Sequence, residues 1–212
     1  MRLSSLTKVA EVDFPTQWVR FRLMGFEAAR AGSGLVETAL VLVLGNLARL
    51  RDCPPVVRIH SQCLTGDVFH SLRCDCHDQL HLALQVISRE EAGILLYEQQ
   101  EGRGIGLLEK LRAYELQERG LDTVEANLHL GHPIDLRDYA LAVDILHYLD
   151  VRSVRLMTNN PKKIEAVASG GVKIVERLSA CVQTRPESER YLATKREKLG
   201  HFPVTAAEGV YP

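Results

Sequence analysis

The sequence predicts a mixed α/β fold, α+β in organisation: a β-rich N-terminal part followed by alternating helices and strands. Three observations carry this. Residues 7–60 hold short runs rich in β-branched and aromatic residues, separated by turn formers. From residue 77 onward, stretches with helical apolar spacing alternate with short apolar runs. Forty-six per cent of the residues are apolar, enough to bury a real core. With 212 residues and no repeat, low-complexity tract or linker, we expect one domain over the whole chain. Its core should span about 8–201, with 202–212 a short flexible tail.

Four strands are expected first, at Lys8–Phe14, Trp18–Phe26, Val36–Leu44 and Val56–His60. Pro15, the run Ala31-Gly-Ser-Gly34 and the run Asp52-Cys-Pro-Pro55 separate them. A helix over His77–Glu91 should stop at Gly93, before a strand at Ile94–Tyr97. Leu107, Leu108, Leu111 and Tyr114 recur at helical spacing, so Gly106–Arg119 should be helical, with Gly120 just past its end. A third helix is expected over Asp135–Tyr148 and a strand over Ser153–Met157. A short helix over Pro161–Ala168 should end at Gly170-Gly171, followed by a strand at Val172–Val175. The last helix is expected over Glu187–Leu199, before Gly200.

The charge balance is near neutral, 26 basic against 27 acidic residues, which argues against a nucleic-acid partner. No apolar run approaches membrane-spanning length, and the N-terminus lacks a signal-peptide core, so no membrane association is expected. Five cysteines without a small-scaffold pattern point to a reducing, cytoplasmic compartment.

Cys63, Cys74 and Cys76 stand at the spacing Cys-x10-Cys-x-Cys. Three thiolates suggest zinc with one coordination position open for water or substrate. Two other readings stay open on spacing alone. A fourth ligand from Cys53, His60, His77 or His81 would make a closed structural site, and free thiols without metal behave as small core residues. Cys181 reads as a packing or surface residue.

Three further segments sit where strands lead into helices. Glu101-Gly-Arg-Gly-Ile-Gly106 offers backbone N–H groups and the Arg103 fork to an anion, although it fails the dinucleotide fingerprint and no P-loop exists elsewhere. Thr158-Asn-Asn-Pro-Lys-Lys163 combines an Asn160 cap, Pro161 in the first turn and two lysines beside a helix N-terminus. It reads either as a phosphate cradle or as a solvated cap. Asp135-Leu-Arg-Asp138 reads either as an N-cap or as a carboxylate–guanidinium pair in a cleft. Asp122-Thr-Val-Glu125 is a similar capping box.

Taken together, these runs resemble the GTP cyclohydrolase II family. The resemblance is carried by Arg58-Ile-His-Ser-Gln-Cys-Leu-Thr-Gly-Asp67, Ser71-Leu-Arg-Cys-Asp-Cys76, Gln100-Glu-Gly-Arg103, Arg112-Ala-Tyr114 and Asp122-Thr-Val-Glu-Ala-Asn127. Asp135-x-Arg-Asp138, Leu156-x-Thr-Asn-Asn-Pro-Lys-Lys163 and Tyr191-Leu-x-Thr-Lys-x-x-Lys-x-Gly-His201 continue it in the family's order. Three departures stand out: Gln62 where the family commonly has Glu, Gly104 in place of a frequent Asn, and the segment 128–134.

The resemblance implies a stand-alone enzyme of riboflavin biosynthesis that hydrolyses GTP to 2,5-diamino-6-(5-phosphoribosylamino)pyrimidin-4-one, formate and diphosphate. It implies zinc ligands Cys63, Cys74 and Cys76, and zinc-activated water opening the imidazole ring at C8. A magnesium ion would accompany the GTP phosphates. GTP would be bound by Arg58, Ile59, His60, Ser61, Gln62, Gln79, Glu101, Gly102, Arg103, Thr123, Thr158 and Lys163. Asp135 would be the general base and Arg137 would act at the α-phosphorus, as a nucleophile or, more simply for a permanently protonated group, as an electrostatic stabiliser. Tyr114 would sit near the guanine ring. A homodimer is also implied. Two rivals are a paralogue that yields a formylated or other pyrimidine, and a zinc-stabilised GTP-binding regulatory protein without turnover.

Overall fold

The computed structural model describes residues 3–30, 34, 36–46, 48–49 and 53–202. The loop expected at 31–34 falls, apart from Gly34, outside the described residues, as do Asp52 of the next loop and 203–212 of the expected tail. Phe202 is held: its N–H donates to Asn159 O (3.0 Å) and its ring lies under the Arg177 guanidinium.

Seven strands form one sheet: β1 (Leu3–Pro15), β2 (Arg20–Arg30), β3 (Val36–Leu44), β4 (Val56–Ser61), β5 (Gly93–Glu98), β6 (Ser153–Met157) and β7 (Lys173–Leu178), in the order β1-β2-β3-β5-β4-β6-β7. The pairs from β1 to β3, and β3 with β5, are antiparallel, while β5, β4, β6 and β7 run parallel. Trp18 lies outside β2 because Thr16 Oγ1 accepts from the Trp18 and Val19 N–H groups, closing a turn before the strand begins.

Seven α-helices accompany the sheet among the described residues: α1 (Leu64–Asp67), α2 (Cys76–Arg89), α3 (Leu107–Glu118), α4 (Thr123–His129), α5 (Ala140–Tyr148), α6 (Pro161–Ser169) and α7 (Pro186–Leu199), with a 3-10 turn at Glu101–Gly104. Alternation along the strands splits the core. Phe21, Val56, Leu95 and Met157 face α2 through Ala83, Val86 and Ile87. Met24, Phe26, Val41, Val57, Ile59 and Leu96 face α5 and α6 through Leu141, Ile145, Leu146 and Val167. Burying each large side chain contributes on the order of 1.5–3 kcal/mol, so these two clusters hold the fold. No helix among the described residues is long and apolar enough to cross a membrane.

Several expected boundaries shift for identifiable reasons. α2 ends at Arg89, and Gly93 does not stop it. Gly93 begins β5, where a Cβ would meet Ile87 Cγ1 and Val56 O at 2.9 Å. The third expected helix starts at Ala140 instead of 135. Asp138 Oδ1 accepts from Ala140 N (2.7 Å), whereas the Asp135 carboxylate is taken by Arg137, so Asp135 is not the N-cap. Helical spacing in α3 does not mark a buried apolar stripe: Leu108 and Leu111 are exposed. The caps at Asn160 and Asp122 form as expected.

Candidate functional site

The parallel strands β4, β5 and β6 end on the same side of the sheet, at Ser61, Glu98 and Met157, and the segments that follow them build the site. After β4, Cys63 opens the single turn of α1. Its N–H donates to Asp67 Oδ2 (3.0 Å), which also accepts from Tyr97 OH (2.8 Å), while His60 Nε2 lies 3.2 Å from both Asp67 oxygens. This network fixes Cys63 against the sheet. Cys74 and Cys76 arrive on the approach to α2. The three sulfurs lie within 4.8 Å of one another, and Cys63 Sγ is 3.7 Å from Cys74 Sγ. Tetrahedral zinc with sulfurs at about 2.3 Å places them roughly 3.8 Å apart, so the spacing fits the ion. Gly66 backs the sulfurs so closely that a Cβ would sit 2.9 Å from Cys74 Sγ. Among the described residues no fourth histidine, cysteine or carboxylate joins the group. Cys53 is exposed, His60 is engaged by Asp67, and His77 and His81 stack on each other instead.

The thiols share charge unevenly. Hydrogen bonds from Cys74 and Cys76, with help from Lys110, pull Cys63 far below the ordinary thiol value. Cys74 is pushed up to about 11, first by its hydrogen bond with Cys63, and Cys76 is raised well above the ordinary thiol value for the same reason.

The turn after β5 points inward. Gly102 and Arg103 both adopt left-handed conformations (φ 61° and 63°), and at Gly102 a Cβ would meet Ile105 and Lys110 atoms at 3.1 Å. Arg103 is buried, and neither Nη1 nor Nη2 has a hydrogen-bond partner. Left-handed geometry in a non-glycine residue costs on the order of 1–3 kcal/mol and marks a position held by its surroundings. Glu101 accepts from Leu64 N (2.6 Å) and from Lys110 Nζ (2.8 Å). Lys110 Nζ also donates to Thr65 Oγ1 (2.9 Å) and lies 3.1 Å from Cys63 Sγ. The Tyr114 ring sits between the Arg73 guanidinium (4.8 Å) and Lys110 Nζ (5.7 Å), and burial raises its hydroxyl pKa.

Two adjoining cavities result. The first, of about 660 Å³, lies over the thiols and is walled by Arg103, Lys110, Tyr114 and Thr123. The second, of about 480 Å³, is lined by Arg58, Arg137, Lys163 and Lys195. Ser61, Cys76, Arg137 and Tyr191 line both. In the second cavity Arg58 donates to Gln79 Oε1 (2.7 Å) and Met157 O (3.2 Å), and Lys163 Nζ donates to Ile59 O (2.8 Å). Burial, then the charges of Arg58 and Arg137, hold the Lys163 pKa well below its ordinary value.

Arg137 closes on Asp135 through two parallel bonds, Nε to Oδ1 (2.9 Å) and Nη2 to Oδ2 (2.8 Å). Burial pushes the Asp135 carboxyl up, but the Arg137 bonds and charge outweigh it and leave the pKa lowered. The carboxylate thereby fixes the orientation of the Arg137 fork.

The family model described as GTP cyclohydrolase II matches residues 7–179. GTP cyclohydrolase-2 of Tolumonas auensis is 50% identical over 200 residues, covering 94% of this chain and 98% of that protein. The proteins of the same name from Neisseria gonorrhoeae and Escherichia coli O9:H4 are 49% and 50% identical over 93% of this chain, covering 96% and 97% of their own lengths. The chain belongs to the GTP cyclohydrolase II family. Among solved structures, a two-domain 3,4-dihydroxy-2-butanone 4-phosphate synthase from A. baumannii matches at TM-score 0.42 and 16% identity, over 82% of this chain and 40% of that one.

Of the site residues expected from the sequence, most line the two cavities. Ser61, Gln62, Glu101, Gly102, Arg103, Tyr114 and Thr123 line the first. Arg58, His60, Gln79, Thr158 and Lys163 line the second. Ile59 differs: its side chain is fully buried in the apolar core, and only its carbonyl reaches the site, through Lys163. Asp135 lies behind Arg137. Sequence reasoning missed Lys110, Tyr191 and Lys195 as cavity residues. It also missed Glu98, fully buried at the end of β5, where burial raises its carboxyl to about 8. Lys110 did carry a signal, since it stands one helical turn before Tyr114 and shares its face.

Proposed function

We propose that the protein hydrolyses GTP to 2,5-diamino-6-(5-phosphoribosylamino)pyrimidin-4-one, formate and diphosphate in riboflavin biosynthesis. The observation that carries this is the pair of joined cavities, one over an open three-thiol set and one cationic. That layout suits a purine at one end and a polyphosphate at the other. The names of the relatives support the same reading. A homodimer in the cytoplasm accompanies it, and the five free cysteines suit a reducing compartment.

Cys63, Cys74 and Cys76 would hold zinc, which when bound supplies Lewis acidity that brings the pKa of water toward neutrality. Three thiolates and a divalent ion leave a charge of −1, and the Lys110 ammonium beside Cys63 offsets it. Tyr114, kept protonated by burial, can donate to the ring or to a water next to it. Arg103 offers its two unpartnered nitrogens to the substrate. Arg58, Lys163 and the clamped Arg137 face the phosphates, where Arg137 stabilises charge as the α–β bond breaks. Magnesium would arrive with GTP, because the second cavity presents cations for the phosphates and no lining carboxylate among the described residues.

The decisive experiment incubates zinc-loaded protein with GTP and magnesium, and quantifies formate, diphosphate and the pyrimidine. Equal amounts of all three are expected. Diphosphate with a formylated pyrimidine would instead identify a paralogue, and tight GTP binding without products a regulatory protein.

Metal loading provides a second prediction. Without the ion, Cys63 is held far below the ordinary thiol value, while Cys74 and Cys76 are raised above it. Zinc binding should therefore release about two protons per ion, and its affinity should fall as pH drops. Calorimetry in two buffers of different ionisation enthalpy measures the number. Release of less than one proton would contradict three-thiolate ligation.

A further inference from the structure

α7 (Pro186–Leu199) walls both cavities through Tyr191, and the second also through Lys195. Its inward side is unusual for a helix docked only for stability, because Leu192 is its one buried apolar residue beside Ser188 and Thr194. Tyr191 and Lys195, four residues apart, share a face. Lys195 Nζ sits 4.4 Å from the Tyr191 ring centre and 2.7 Å from Asp75 Oδ1, with 14% of its side chain exposed.

The ion pair with Asp75 alone would explain a helix pin. The charge balance of the cavity asks for more. Arg58, Arg137 and Lys195 line it beside Lys163, which is near the buried Glu98, and the carboxylates paired within 4 Å with the first three are Asp75 and Asp135. Arg58 Nε is buried without a partner. Buried cations in excess of their partners are costly, and a bound polyanion relieves that cost. Asp75 is already engaged by Gln79 Nε2 (2.5 Å), so it can keep a partner if the ammonium turns toward a ligand.

We infer that Lys195 of α7 is a direct ligand of the substrate's polyphosphate, so that the last helix completes the binding site. This rests on the reading of GTP as substrate. The test measures equilibrium binding of a non-hydrolysable GTP analogue, tripolyphosphate and guanosine to the zinc-loaded full chain, with thermal melting of each variant.

Lys195→Met should weaken the analogue and tripolyphosphate about tenfold to a hundredfold, the loss expected of one charge-assisted contact, and leave guanosine within about twofold. Lys195→Arg should retain most of the affinity. Asp75→Asn, which frees the ammonium from its ion pair, should bind both phosphate ligands at least as well as the parent. Equal weakening by Asp75→Asn and Lys195→Met would reduce Lys195 to a pin for α7 and overturn the inference, as would unchanged tripolyphosphate binding in Lys195→Met. If Lys195→Met melts early, the double variant Asp75→Asn/Lys195→Met, which leaves no buried charge unpaired at this pair, is compared with Asp75→Asn alone under the same criteria. A parent protein that binds tripolyphosphate in a Lys195-dependent way but not GTP would defeat the GTP reading and leave the anion site standing.

Discussion

Cys74→Ser is expected to lose zinc and formate release together, while the fold survives. Cys74 is a buried member of the three-sulfur set, 3.7 Å from Cys63 Sγ. A serine hydroxyl does not ionise near neutral pH and is a poor match for a borderline-soft ion. Changes outside the first ligands of a metal cost about 10–100-fold in affinity, and loss of one ligand of three should exceed that. The apolar clusters that hold the sheet to α2, α5 and α6 do not include Cys74, so the melting temperature of the metal-free protein should barely move. Cys181→Ser is the matched control. Cys181 is also buried and free, but its neighbours are Ser179 and Asn159, and its loss should leave zinc in place. Elemental analysis and formate assay of both variants decide the point. Stoichiometric zinc in an inactive Cys74→Ser protein would refute ligation by Cys74.

Features set by neighbours in sequence were legible, and features set by distant partners were not. Val36–Leu44 and Ser153–Met157 form strands at the expected ends because β-branched runs bounded by breakers suffice. Asn160 and Asp122 cap helices because capping uses groups two or three residues away. α1 escaped notice because one turn has no periodicity, and it is held by Glu101 and Tyr97 from the tertiary fold. The insertion of β5 between β3 and β4 is a matter of sheet order, which no local pattern encodes. In the site, the cysteines were legible because zinc demands particular atoms. Lys110 and Lys195 were given no site role, since the partners that bury them, Glu101, Cys63 and Asp75, come from other elements.

Asp135 and Arg137 are where a capping role and a catalytic role separate most sharply. Were Asp135 a helix cap, Asn would replace it with little loss. In the structure both carboxylate oxygens face the Arg137 fork, so Asp135→Asn puts an amide N–H₂ against a guanidinium N–H or breaks one of the two bonds. Arg137 should then leave the boundary between the cavities. Turnover is expected to fall on the order of a hundredfold or more, as when a preorganised electrostatic contact is lost. Arg137→Lys keeps the charge but not the fork and should be comparably impaired. The pH profile tests the coupling of the pair. The lowered Asp135 pKa means that the pair is intact above the ordinary carboxylate value of about 3.9 and fails as pH falls through the depressed one. With Lys at 137 that depression weakens, so the acid limb of the residual activity should move to higher pH. In Asp135→Asn a limb that belongs to Asp135 disappears. Steady-state rates across pH, beside thermal melting, give the answer. Two well-folded variants with near-parent turnover would remove the pair from the mechanism, and an acid limb unmoved in Arg137→Lys would remove the clamp.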